Sequence, residues 1–243
     1  MSLPTSPKGA LLSAAADAPP IEIDELSPPG GLLIIAPHPD DETFGCGQAL
    51  AAAAQAGREI GVLLLTDGAG SHPGSASYDR ERLVKLRKDE LDAALALLAP
   101  GKTITVMRAG LEDGCSDLEQ LGLHRYQRIV AYARALRAKS VWATWNGDPH
   151  CDHTSAATLG RMISDDIGVG FWRYSIWGRF GERDVPHDLR LFSDGRFEQR
   201  KRDAIAAYRS QTTRLIDDDP DGFVFPQEIL EHFAQSPEIF IGG

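Results

Sequence analysis

With 243 residues, of which 42% are hydrophobic and 25% charged, the chain has the composition of one globular domain with a sizeable core. The formal net charge of -10 argues against a nucleic-acid binder, because neutralising phosphates takes clustered Lys and Arg. No apolar stretch approaches the roughly 18 residues that a membrane span needs. The three cysteines form no Cys-x-x-Cys pair, which argues against a disulfide framework or a thiolate zinc site. We therefore expect a reducing, cytoplasmic location.

The chain begins with a segment of low apolar periodicity. Residues 1–30 carry prolines and alanines, but no basic start leads into a continuous apolar core, so they lack the pattern of a signal peptide. We interpret them as a partly ordered N-terminal arm, followed by a single domain over residues 31–243.

From residue 31 onwards, short apolar runs alternate with helix-like segments. The runs have the length of strands buried on both faces, and they predict strands at 32–36, 60–65, 103–107 and 140–144. The segments that follow these runs predict helices at 43–56, 78–98, 122–138 and from 153 onwards. Past residue 170 the regularity weakens, with expected strands at 171–176 and 188–192 and a helix at 198–210. Strands that alternate with helical crossovers indicate an α/β fold with a doubly wound, mostly parallel sheet.

The segment directly after the first predicted strand concentrates ionisable side chains. Residues 37–42, the first cluster, read PHPDDE, and the two prolines restrict the backbone. His38 and Asp41 are close enough in sequence to reach one metal ion. Asp40 cannot point the same way as Asp41 in an extended segment, so one carboxylate can bind a metal while the other faces water. In open α/β sheets, ligands bind at the carboxyl ends of the strands, where this cluster lies.

A second cluster follows the fourth predicted strand. Residues 146–153 read NGDPHCDH, in which carboxylates stand before and between His150 and His153. The predicted topology places both clusters on one rim of the sheet. Together they offer two histidines and one aspartate, the ligand count of catalytic zinc and of the facial triad of non-haem iron.

Structural roles would explain parts of these clusters. Asp41 or Glu42 alone could cap the next helix. Cys151 could be a nucleophile, although a thiolate beside a zinc site tends to be captured by the metal. The sequence has no GxSxG elbow, no Walker loop and no GxGxxG motif. Two clusters at corresponding strand ends are better explained by a functional site than by two unrelated turns.

At these residues the sequence resembles the PIG-L (LmbE-like) family of N-acetylglucosaminyl deacetylases. Residues 37–42 resemble the first signature of the family, and residues 148–153 are similar to the second, D-x-H-x-D-H. Weaker similarities extend the resemblance over about residues 31–215, at Thr66-Asp67-Gly68, Arg87, Glu90, Lys201, Ala204 and Ser210-Gln211. Two features depart from the family pattern: Cys151 stands where many members have proline, and the N-terminal arm has no obvious counterpart.

The resemblance implies a Rossmann-like fold, a divalent metal, and hydrolysis of an N-acetyl group on a sugar-like substrate. The metal would be zinc, or iron in some cells. The ligands that the resemblance implies are His38, Asp41 and His153. A metal-bound water would be the nucleophile and Asp40 the general base, while His150 would stabilise the oxyanion. Asp152 would support a protonated His150.

The sequence says less about substrate recognition than about the metal site. Arg87 could bind a substrate hydroxyl or phosphate at the rim, although on a charged helix it also fits a solvated face. Asp113 fits either a sugar hydroxyl partner or a turn former. The aromatic residues 171–174 with Trp177 could form a stacking wall for a sugar or part of the core. The expected partner is a small N-acetylated sugar or glycoconjugate, and the oligomeric state stays open.

Two other functions fit the same side chains. A non-haem iron oxygenase uses the same ligand types, but usually as an H-x-D pair on a jelly roll, whereas this chain has H-x-x-D on an α/β pattern. A metal-dependent sugar-binding protein would have no use for Asp40 and His150 in addition to three ligands. We therefore favour the hydrolase.

Overall fold

The computed structural model describes residue 4 and residues 6–114, 116–182 and 184–242. Cys115, one of the three cysteines, lies outside these residues. The strands of the described part are β1 Gly31–Ala36, β2 Glu59–Leu64, β3 Thr105–Arg108, β4 Ala138–Thr144, β5 Gly170–Tyr174, β6 Leu189–Phe192 and β7 Glu238–Gly242. The α-helices are α1 Ala10–Ala15, α2 Ile23–Leu26, α3 Asp41–Gln55, α4 Arg80–Leu98, α5 Gly122–Ala135, α6 Cys151–Ile167, α7 Glu198–Ala207, α8 Arg209–Thr212 and α9 Gln227–Gln235.

The strands form one sheet in the order β3-β2-β1-β4-β5-β7-β6. The first five of these strands are parallel, and β7 pairs antiparallel with both β5 and β6. From β1 the chain winds outward through β2 and β3 on one side and through β4 and β5 on the other. The prediction of a doubly wound, mostly parallel sheet is confirmed.

Helices cover both faces of the sheet because side chains of a buried strand point alternately to either side. Along β1, Leu32, Ile34 and Ala36 pack into the core beneath α3, α4, α7 and α9. Leu33 and Ile35 pack into the second core, beneath α5 and α6. Every residue of β1 is buried, which explains the continuous apolar run in its sequence.

The N-terminal segment packs against the domain. Leu11 and Leu26 are buried, and the backbone carbonyl of Leu26 accepts a hydrogen bond of 3.0 Å from the indole N–H of Trp142 in β4. Isolated bridges join Gly9 to Gly181 and Pro20 to Leu191. The described part of the segment therefore contributes to the core, and the division of the chain at residue 30 stays a prediction.

At the antiparallel end of the sheet, β6 matches the strand expected at 188–192, whereas β7 was not predicted from the sequence. Strand β7 begins with Glu238, a fully buried carboxylate that forms a 2.7 Å ion pair with Lys201 of α7. The same carboxylate accepts hydrogen bonds from the backbone N–H groups of Gln48 and Ala49 in α3. A charged residue at the start of a strand hides the apolar pattern, and its partners lie far away in sequence. Among the described helices, none combines the length and the apolar composition needed to cross a bilayer.

Candidate metal and catalytic site

The two clusters meet at the point where the winding of the sheet reverses. The first cluster follows β1 and the second follows β4, and these two strands are parallel neighbours. The connection after β1 leads to β2, on the opposite side of β1 from β4. Such a switch point leaves a crevice outside the carboxyl ends of the strands, where open α/β sheets bind their ligands.

Three side chains from the two clusters converge on one point. The Oδ2 atom of Asp41 lies 3.2 Å from Nδ1 of His38 and 3.5 Å from Nε2 of His153. One ligand atom from each of these residues lies within 4.8 Å of the other two. The structure therefore brings together the three ligands that the resemblance implied. A second group of three, His38, His150 and Asp152, meets the same criterion on the other side of the His38 ring.

The chemistry of this ligand set fits a divalent cation. Nε2 of His153 is buried and has no hydrogen-bond partner among the residues that the structure describes, although a buried ring nitrogen normally has one. Burial lowers the pKa of His38, but hydrogen bonds with Asp113, Asp152 and Asp41 outweigh burial and raise it well above its usual value. The site therefore attracts positive charge and presents a free nitrogen, as a two-histidine, one-carboxylate zinc site requires.

Two further carboxylates orient the two histidines. Asp148 lies 2.8 Å from Nδ1 of His153, and its carboxylate also accepts backbone N–H groups from Ile176 and Gly178. Asp152 lies 3.0 Å from Nε2 of His38 and accepts the N–H groups of Gly114 and Ser116. A carboxylate on the far nitrogen of a metal-binding histidine fixes its tautomer and ring orientation.

The nearest histidine to the Asp152 carboxylate is His38, whereas the resemblance implied His150. The carboxylate of Asp152 contacts His38, and it lies 3.9 Å from Nδ1 of His150. The reason is local: His150 is the N-cap of α6, and its Nδ1 accepts the backbone N–H of Asp152 at 3.2 Å. The Asp152 side chain projects from the first turn of the helix toward β1.

The surroundings of His150 favour its neutral form, whereas the sequence analysis expected a protonated ring. Burial and the charges of His38 and His153 lower the pKa of His150 to about 4. Because Nδ1 accepts a backbone N–H, the ring proton of the neutral form is on Nε2. His150 lines the cavity, where this N–H can meet a substrate oxygen.

Replacing Asp148 by asparagine is expected to lower the affinity for a divalent metal by about 10–100-fold, the usual effect of losing a carboxylate behind a histidine ligand. Competition with a coloured chelator measures this affinity. Asp165→Asn removes an exposed carboxylate from α6 and serves as the control. Unchanged affinity in a folded Asp148→Asn protein would contradict the role of Asp148.

Asp40 lies beside the ligands in a strained backbone conformation. Its φ of 141° is rare for a residue with a side chain, and strain of this kind concentrates at functional sites. The backbone N–H of Asp40 donates to Oε2 of Glu42 at 3.2 Å. Glu42 is fully buried and held by the hydroxyls of Thr43 and Tyr208, each at 2.6 Å. Asp40 occupies the N-cap position of α3, but its side chain makes no capping hydrogen bond, and the Glu42 carboxylate instead belongs to this network.

Arg87 is buried behind Asp40 and does not lie on a solvated helix face. Its guanidinium donates to Oδ2 of Asp40 at 2.9 Å, and to the carbonyl oxygens of Pro39 at 2.7 Å and Gly68 at 3.0 Å. Gly68 has a φ of 73°, and a Cβ there would lie 2.5 Å from the Arg87 guanidinium. This close approach explains the glycine of the Thr66-Asp67-Gly68 loop. Arg87 lines the cavity, but the hydrogen bonds that the structure shows go to protein atoms.

Arg87 also acts on the ionisation of Asp40. Burial raises the pKa of Asp40 well above its usual value, and the positive charge of Arg87 opposes this rise. A general base must be ionised, so activity should fall as the pH drops through this raised pKa. We expect Arg87→Gln to raise the pKa of Asp40 further, because the neutral side chain no longer favours the carboxylate. The acid limb of the pH profile of kcat/KM should therefore move to higher pH.

The control for this prediction is Arg80→Gln, on the same helix α4, where the arginine is 67% exposed. This variant should keep the acid limb of the parent. An unchanged acid limb in Arg87→Gln would show that Arg87 does not influence the ionisation of the general base.

A cavity of about 300 Å³ opens over these side chains. Asp113 lies in its wall, where Oδ2 accepts the backbone N–H of Gly70 at 2.6 Å and Oδ1 is 3.1 Å from Nε2 of His38. Trp177 also lines the cavity, whereas residues 171–174 belong to β5. The sequence analysis missed the loop before α9, which lines the cavity with Asp221, Gly222, Phe223 and Phe225. Gln211, which the family resemblance included only in the Ser210-Gln211 similarity, also lines the cavity.

An open α/β sheet with two histidines and a carboxylate converging at its switch point has the layout of a metallohydrolase. A further carboxylate, Asp40, and a histidine donor, His150, stand beside this trio.

Sequence comparison matches residues 33–164, more than half of the chain, to the family described as PIG-L: GlcNAc-PI de-N-acetylase. The chain belongs to this family, which confirms the predicted family and the class of enzyme, a hydrolase of carbon–nitrogen amide bonds. A relative from Nocardioides sp., a 1D-myo-inositol 2-acetamido-2-deoxy-alpha-D-glucopyranoside deacetylase, is 26% identical, with a match that covers 85% of this chain and 78% of the relative.

Solved structures share the fold. An N,N'-diacetylchitobiose deacetylase from Pyrococcus horikoshii, in complex with an inhibitor, superimposes with a TM-score of 0.61 at 19% identity, over 91% of this chain and 79% of its own. A triple mutant of a deacetylase of the teicoplanin biosynthetic pathway gives a TM-score of 0.63 at 20% identity, over 86% of this chain and 96% of its own. At these identities the similarity establishes the fold alone.

Proposed function

We propose that this chain hydrolyses the N-acetyl group of a sugar-like substrate with the help of a divalent metal, for which Zn²⁺ is the first candidate. The observation that carries the proposal is the convergence of His38, Asp41 and His153 next to two side chains that a metal site does not need, Asp40 and His150. Family membership and the deacetylase activity of the Nocardioides relative support the choice of reaction.

Each side chain has one task in this proposal. A divalent cation held by His38, Asp41 and His153 would lower the pKa of a bound water from 15.7 to about 7 and polarise the acetyl carbonyl. Asp40 takes the proton of the attacking water and delivers it to the departing amine. The Nε2–H of His150 donates to the carbonyl oxygen as negative charge develops on it. Asp148 and Asp152 keep the two histidines in place.

Acetate release from a panel of N-acetylated sugars tests the proposal. The metal-loaded protein should release acetate from at least one member, and a chelator should stop the release. If no member of the panel releases acetate although one metal ion is tightly bound, the result would favour the alternative of a metal-dependent sugar-binding protein. Asp40→Asn separates the two functions, because a binding protein does not depend on a general base.

A further inference from the structure

Three aromatic side chains line the cavity and form what we call the aromatic wall. The rings of Trp177 and Phe225 stack with centroids 5.0 Å apart, and Phe223 meets both of them edge to face. The loop that carries Phe223 is held close to the body of the protein, since a Cβ on Gly222 would lie 2.3 Å from the ring of His72. Phe225 also stacks on Phe44 at 4.3 Å, so the wall is anchored in the core, and its apolar surface suits an uncharged aglycone.

The charges around this wall are predominantly negative. Among the described residues that line the cavity, Arg87 is the only arginine or lysine, and it is 3% exposed and bonded to Asp40. A divalent cation would add two positive charges at the inner end, where Asp41 and Asp113 lie beside His38 and offset them. Asp221, by contrast, is exposed on the loop of the aromatic wall, where the lining offers it no cation.

Neighbouring acidic residues have a different role. Asp218 accepts backbone N–H groups from Ala76 and Ser77, and Asp219 accepts the N–H of Gly74, so both hold the facing loop. Asp221 is the acidic residue of this stretch that lines the cavity. Asp217 is equally exposed but is not part of the cavity wall, and it provides a matched control.

We propose that the cavity selects uncharged N-acetyl sugars, and that Asp221 discriminates against substrates whose aglycone carries a carboxylate or a phosphate. The proposal rests on the proposed function and specifies its substrate class. An anionic group against the aromatic wall loses water without gaining a cation partner, and it meets the charge of Asp221. A neutral group of the same shape loses less hydration free energy on binding, and Asp221 does not repel it.

A pair of isosteric substrates isolates the charge. The carboxymethyl and carbamoylmethyl β-glycosides of N-acetylglucosamine differ in one group, an anionic carboxylate against a neutral carboxamide. We expect kcat/KM for the neutral glycoside to be higher by about tenfold, a like-charge penalty at the low end of those seen at interfaces. The difference should lie in KM, because the aglycone is remote from the acetyl group. Asp221→Asn should bring the ratio close to one, whereas Asp217→Asn should keep the ratio of the parent.

Equal kcat/KM for both glycosides in the parent protein, or a ratio that survives Asp221→Asn, would overturn the selection by charge. If neither glycoside is hydrolysed, the panel of N-acetylated sugars still decides the proposed function. Calorimetric binding of the same two glycosides to the metal-loaded protein then decides the inference. Tighter binding of the neutral glycoside that is lost in Asp221→Asn supports it, and equal affinity or no binding refutes it.

Discussion

Asp40→Asn is expected to lower kcat by about 10²–10⁴, the usual contribution of a general base, while the metal stays bound. Asparagine has the same shape as aspartate, so it meets the same backbone constraint at φ of 141°. Its amide oxygen can still accept from the guanidinium of Arg87, which now donates to Asp40 at 2.9 Å. The variant therefore removes the base and keeps the surroundings.

Turnover and metal content, measured on the same preparation, decide this prediction. Asp92→Asn removes an exposed carboxylate of α4 and should match the parent in both. Hydrolysis at the parent rate by Asp40→Asn would show that another group takes the proton. Loss of the metal together with turnover would instead place Asp40 among the ligands.

His150→Ala is the second variant with a large expected effect, a decrease in kcat of about 10²–10³, as for the loss of one oxyanion donor at comparable sites. We expect this effect because His150 lines the cavity and its Nδ1 accepts a backbone N–H, which leaves Nε2 as the donor. His150→Gln restores a donor and should recover part of the rate. His124→Ala changes an exposed histidine and should leave kcat unchanged. A parent-like kcat in His150→Ala would show that His150 does not take part in the reaction.

Most of the fold follows from local sequence patterns. Strands β1, β2 and β4 are buried on both faces, so their continuous apolar runs are visible without any knowledge of their partners. Strand β7, which no sequence pattern predicted, has no such continuous apolar run at its start. Glu238 in β7 is stabilised by Lys201 and by backbone groups of α3, and long-range partners of this kind leave no periodic signal.

The two clusters were equally visible, because the topology of the sheet brings the ends of neighbouring parallel strands together, and the family resemblance then indicated which of their side chains are candidate ligands. The closer contact of Asp152 with His38, at 3.0 Å against 3.9 Å for His150, has a geometric reason. Residues two apart at the start of a helix do not face each other, so Asp152 reaches His38 from the neighbouring strand end instead.

Contributions from distant loops account for what the sequence did not reveal. Arg87 is buried because Gly68 lets a loop approach its guanidinium, an arrangement that the charged pattern of α4 conceals. Phe223 and Phe225 line the cavity from a segment without regular structure. Their position depends on hydrogen bonds such as that from the N–H of Phe223 to the carbonyl oxygen of Ser71, at 2.7 Å.

The most direct test of a metal-dependent hydrolase is a metal titration of the stripped protein. The protein is freed of metal with a chelator, checked by elemental analysis, and supplied stepwise with Zn²⁺ while acetate release is followed. The account predicts no turnover at the start, a rise that saturates at about one metal ion per chain, as for a single catalytic site, and no recovery in His153→Ala. Full turnover by the metal-free protein would contradict it.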